Sequence, residues 1–182
     1  GSFQIGEGSV EDGDMLIAAL EGSMGTVDVV GEDSLLSVAT ALEVGRFGAA
    51  VLTISDGGEV TAETVEIGLG PAGLGFGAPS ETNLDGGSLV TQTSLVVGGS
   101  GTGTLTAMNN STVTSLDGGI GIRNNGDGHV TLENSVWNLQ LDLFIGIVDE
   151  NNVPTGTGEL TLTNNGFVTA QSLTLAAGST LH

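Results

Sequence analysis

Seven positions recur along this chain at offsets of 0, 2, 4, 8, 13, 15 and 16 residues. From Leu52 they are Leu52, Ile54, Asp56, Val60, Val65, Ile67 and Gly68. From Leu160 they are Leu160, Leu162, Asn164, Val168, Leu173, Leu175 and Ala176. Thr82 starts Leu84, Gly86, Val90, Leu95, Val97 and Gly98; Leu105 starts Ala107, Asn109, Val113, Gly118, Ile120 and Gly121. Val130 starts Leu132, Asn134, Asn138, Leu143, Ile145 and Gly146. A looser copy begins at Val27 with Val29 and Leu35, and resumes at Leu42, Val44 and Gly45 after a two-residue insertion. Phe3, Ile5 and Gly6 read as the tail of one more copy, and residues 7–24 as part of an atypical end rung, 1–24.

The starts at 27, 52, 82, 105, 130 and 160 lie 25, 30, 23, 25 and 30 residues apart. Paired apolar residues in alternation mean strands, and the short Gly/Asn/Asp breaks between them mean tight corners. One such unit is too thin to bury its own apolar face, whereas stacked units share a continuous core. The pattern therefore predicts an all-β, parallel β-helix (β-solenoid), a single domain over 1–182 with six to seven rungs of roughly 25 residues. The two longer spacings come from insertions at 69–81 and 147–159, which follow the same corner and hold all three prolines, Pro71, Pro79 and Pro154. They should protrude from one edge, three layers or roughly 14 Å apart.

Composition narrows the partners. Twenty-two acidic residues stand against two basic ones, Arg46 and Arg123, for a formal net charge of -20. Such a surface repels nucleic acid and anionic membrane, which need cations to neutralise phosphate. No apolar run is long enough to insert in a bilayer. With no cysteine, disulfides, thiolate metal sites and cysteine nucleophiles are excluded.

The units GTGTLTAMNNSTVTSLDGGIG and GTGELTLTNNGFVTAQSLTLA resemble the passenger repeats of bacterial autotransporter adhesins. They are also similar to repeats in surface proteins of bacteria that use PEP-CTERM sorting signals. The shared cue is Gly-x-Gly-x-Leu-Thr-apolar, an Asn/Asp/Gly turn, Val-Thr-small, then Leu-x-apolar-Gly, over residues 25–182. The resemblance implies a right-handed solenoid, export to the bacterial cell surface, and adhesion, self-association or matrix building. It carries no catalytic residues.

Several chemistries can be weighed residue by residue. Gly101, Gly103 and Thr104 do not form a phosphate loop: the chain has no lysine, and the next copy places Glu159 there. Two histidines, His129 and His182, come with no recognisable nucleophile and orienting acid, and alternation points His129 outward. Polysaccharide-degrading β-helices need carboxylates stacked along one face. The sequence-adjacent pairs here (Asp12 and Asp14, Glu32 and Asp33, Glu63 and Glu66, Asp149 and Glu150) fall in no single column. Calcium is the one candidate cofactor, none being required. Stacking of consecutive corners would bring Asn124, Asn125 and Asp127 near Asp149, Glu150 and Asn151, a hard oxygen set. Asp56, Asn109, Asn134 and Asn164 share one offset and are expected to form a buried, layer-to-layer polar ladder. Trp137 reads as either a surface aromatic for sugar or partner contact or a rim-packing residue.

These readings converge on a non-enzymatic, extracellular structural or adhesive solenoid whose partners are itself or surface glycans. Apolar layers run to both ends of the chain, so either more chain adjoins them or copies stack head to tail. A carbohydrate-binding or polysaccharide-degrading β-helix is the main alternative. Ice binding is a further one, because Thr53, Thr106, Thr131 and Thr161 share an offset that Asn83 interrupts.

Overall fold

A computed structural model describes residues 2–70, 78–151 and 153–182, without the side chains of Glu7 and Asp12. Among the described residues there are eighteen strands and no helix. The chain winds as a spiral of parallel coils, each turning through three faces. In the coil that starts near Leu105 these are Thr102–Met108, Thr112–Ser115 and Asp117–Ile120.

Register follows the repeat. Phe3, Val27, Leu52, Thr82, Leu105, Val130, Leu160 and Leu181 are successive cross-strand partners on the first face. That column spans seven coils and the first strand of an eighth, which at about 4.8 Å per layer is a rod roughly 35 Å long. Alternate residues point into one continuous core, where Leu52, Ile54, Val60, Val65 and Ile67 are all fully buried. Each such side chain contributes about 1.5–3 kcal/mol by leaving water. The pattern lapses at Thr82, which takes an aliphatic place and buries its hydroxyl without a hydrogen-bond partner.

At the glycine of offset 16 the chain turns in the left-handed region, with φ between 63° and 79° at Gly45, Gly68, Gly98, Gly121 and Gly146. A Cβ at Gly121 would stand 1.8 Å from the Thr157 carbonyl oxygen, so the corner excludes any side chain.

Five details correct the sequence reading. Phe3 and Ile5 pair with Val27 and Val29, so they head the first coil and are not the tail of another. Met15 and Ile17 in the supposed end rung pair with Leu42 and Val44, so this stretch joins the stacked columns after a register shift between Gly6 and Gly8. In the Val27 coil the second-face column is filled by Leu36, opposite Val60, with Leu35 turned aside. In the next two departures Leu89 replaces Val90 and Trp137 replaces Asn138 as partners of Val113. The three second-face departures share one cause. The first corner gains or loses one residue, and the second corner compensates, so the core columns realign before the coil closes. Thus the register steps from Ala62↔Thr91 to Thr64↔Ser94.

Trp137 is wholly buried and its indole N–H donates to Ser115 Oγ at 2.9 Å, so it is neither a surface nor a rim residue. The space comes from Gly118, which stands where neighbouring coils place Leu95 and Leu143. A Cβ on Gly118 would lie 2.6 Å from Trp137 Cζ2 and 2.6 Å from Leu139 Cδ2. One coil omits a side chain and the next supplies the missing volume.

The insertion at 147–159 leaves the coil as a hairpin, Ile147–Val148 pairing antiparallel with Gly156 and Pro154. That at 69–81 falls mostly on residues 71–77, outside the described residues. Phe3, Leu16, Leu20 and Met24 are exposed at the first coil, and Leu173, Leu175 and Leu181 at the last.

Candidate functional site

Along the middle coils the core is closed, so polar chemistry there belongs to the corners and the outward positions of the three faces. The corner after the first face carries the four residues expected to form a buried polar ladder. Asp56, Asn109, Asn134 and Asn164 have φ of 54°, 56°, 46° and 46°, and all four are exposed rather than buried. Their common feature is thus a left-handed backbone, which Asn and Asp tolerate better than other side-chain-bearing residues. The amides do bond between layers, but diagonally. Asn109 Nδ2 donates to Asp85 Oδ1 at 2.6 Å, Asn134 Nδ2 to Asn110 Oδ1 at 2.8 Å, and Asn164 Nδ2 to Glu133 Oε1 at 2.8 Å. Corner backbone groups are satisfied by the next layer's backbone, as in Asn110 N–H to the Asn134 carbonyl at 2.8 Å.

Two of the acids expected to hold calcium, Asp149 and Asp127, make separate contacts. Asp149 Oδ1 accepts from the Asn151 and Val153 amides at 2.8 and 2.9 Å, closing its own hairpin. Those bonds, the one from Val153 first, hold its carboxyl below the usual range. Asp127 instead meets Thr157 Oγ1 at 3.3 Å and His129 Nε2 at 3.2 Å. Asn124, Glu150 and Asn151 are exposed at their loops. The hairpin accounts for this arrangement: it carries 149–151 outward, and Thr157 rather than Asp149 stacks on Asp127. Among the described residues no three His, Asp or Glu groups are placed to hold a metal.

Charge is more organised on the third face than adjacency in sequence suggests. Glu43 stacks directly on Glu66, and Asp142 lies in register over Asp117, whose Oδ1 accepts the Asp142 amide at 3.2 Å. Arg46 forks onto Glu43 at 2.6 and 2.8 Å. Arg123, two coils further on, reaches back to chelate both oxygens of Glu66. Glu66 drives the guanidinium pKa still higher, against the opposing effect of burial. Both arginines are therefore engaged with acids of the chain itself. The stacked acids could have been found by comparing the residue after each offset-13 position, where Glu43 and Glu66 coincide.

His129 projects outward between two carboxylates, with Nε2 3.2 Å from Asp127 and Nδ1 3.3 Å from Glu159. His182 approaches the other Glu159 oxygen at 3.6 Å. Among the described residues the partners of His129 are these carboxylates, and no serine or threonine is bonded to it. The threonines Thr53, Thr106, Thr131 and Thr161 do align in one outward column, with Asp28 and Asn83 also in it. The column beside it, Thr26, Val51, Glu81, Thr104, His129 and Glu159, is mixed in charge and shape. Threonine is therefore regular in neither column.

Among the described residues no helix is long and apolar enough to cross a membrane. In comparisons with known proteins, no family model, no curated protein and no solved structure matches the chain.

Proposed function

We propose that this chain is a non-enzymatic structural and adhesive β-solenoid of the bacterial cell surface, acting through its outer faces on surface glycans or on further copies of itself. The observation that supports this most directly is the fate of its two arginines. Both are held by Glu43 and Glu66, so the exposed surface offers acids, hydroxyls and amides but no free permanent cation among the described residues to serve as a lyase base. A rod whose interior is filled with side chains spends its sequence on length and surface, the requirements of a scaffold. The resemblance of its repeats to adhesin passengers points the same way.

The test is accessibility on living cells. Antibody raised against the 182-residue chain should label intact source cells, and external protease should remove that label while a cytosolic marker survives. Labelling that appears only after lysis overturns the surface assignment.

A further inference from the structure

The second face changes character along the rod. In the earlier coils it presents Glu11 and Glu59 outward. From Ser88 to the last coil its outward positions carry only hydroxyl, amide and apolar side chains, in a chain of net charge -20. Val90, Thr114, Asn138 and Thr169 follow one another in register along this strip. At its edge lies an open groove of about 280 Å³, bordered by Asn110, Asn134, Asn165, Val136 and Phe167.

Two features of the groove identify a ligand chemistry. Phe167 is 53% exposed beside Val136, its partner in the adjacent layer, which makes an apolar platform on an otherwise polar corner. Around it, the Asn110 Nδ2 donor, the Asn134 Oδ1 acceptor and the Asn165 amide have no hydrogen-bond partner among the described residues. The left-handed backbone at Asn110, Asn134 and Asn165, with φ of 64°, 46° and 67°, fixes where these amides start. Amides both donate and accept, which suits hydroxyl groups that do the same. An apolar ring suits the C–H face of a pyranose, and a few placed polar groups around an apolar patch are the usual make-up of a small-ligand site. Without charge in the groove, and with strong negative charge elsewhere, anionic ligands are disfavoured.

We infer that the Phe167 groove and the charge-free strip beside it bind an uncharged glycan, one sugar ring seated on Phe167 and the polymer running along the second face. The inference deepens the adhesive reading above and rests on it only for the source of the glycan.

The experiment titrates the purified chain with uncharged glucan, mannan, galactan and chitin oligosaccharides, and with polyuronates of matched length. At least one uncharged series should bind and the polyuronates should not. Phe167→Ala and Asn110→Gly should each weaken that binding by about tenfold or more, as loss of a central contact does. Circular dichroism and the unfolding midpoint verify that both variants fold. Thr114→Glu, outside the groove, should weaken long oligosaccharides more than short ones. The inference is overturned if no uncharged oligosaccharide binds, or if binding survives both groove variants. It is equally overturned if sedimentation shows a dimer that Phe167→Ala abolishes, because a second copy would then occupy the face. Binding in solution is read independently of cell labelling, so either result can fail without the other.

Discussion

At the residue scale, the corner asparagines owe their place to backbone conformation more than to their amides. Asn134 has φ of 46° and one side-chain bond, to Asn110, on an exposed corner. Leucine there must enter the left-handed region at roughly 1–2 kcal/mol, whereas glycine enters it freely. Asn134→Leu should therefore lower the urea unfolding midpoint by the equivalent of about 1–2 kcal/mol, and Asn134→Gly should stay within about 0.5 kcal/mol of the parent. Equal losses in the two variants would return the role to the amide. The recurrence of Asp56, Asn109, Asn134 and Asn164 was readable as a turn. Their exposure was not, because alternation predicts which way a strand residue points but says nothing of a corner residue, whose direction follows φ.

At the scale of one coil, the decisive pair is Gly118 and Trp137, side chains from neighbouring layers that share one volume. Trp137→Val should cost about 3 kcal/mol by opening a cavity, and Gly118→Leu about 1–3 kcal/mol by overpacking. The double variant should cost less than the sum by 1 kcal/mol or more, measured as the coupling in a cycle of unfolding free energies. Strict additivity would mean the two sites do not compete for space. This pair also marks the limit of reading offsets. From the second coil onward the core columns of the first and third faces were legible, since strands there begin at a fixed distance from a corner, whereas Phe3, Ile5, Met15 and Ile17 of the first coil were not. The second face was misassigned at Leu35, Val90 and Asn138, because a corner that gains or loses one residue flips the following strand by one. Burial of a large aromatic could have been anticipated from the missing side chain at Gly118, one layer before it.

At the scale of the whole molecule, twenty net negative charges on a rod about 35 Å long repel one another, and folding concentrates them. Sodium chloride should raise the melting temperature by several degrees between low and moderate ionic strength, with a chelator present throughout to remove divalent ions. A flat response would mean that the pairing of Arg46 and Arg123 already suffices. The candidate site was the least legible part of the molecule. The groove at Phe167 combines residues from three coils, Asn110, Asn134 and Asn165, and only the register brings them together. The link from Arg123 to Glu66 has a mechanical meaning as well. Tension on a solenoid peels coils from an end, and each freed coil of about 25 residues pays out roughly 80 Å of slack. That guanidinium fork clamps one coil between the two that it joins. Under load, the three would be expected to hold until the fork lets go and then yield together as one long step, so that the middle of the rod acts as a fuse.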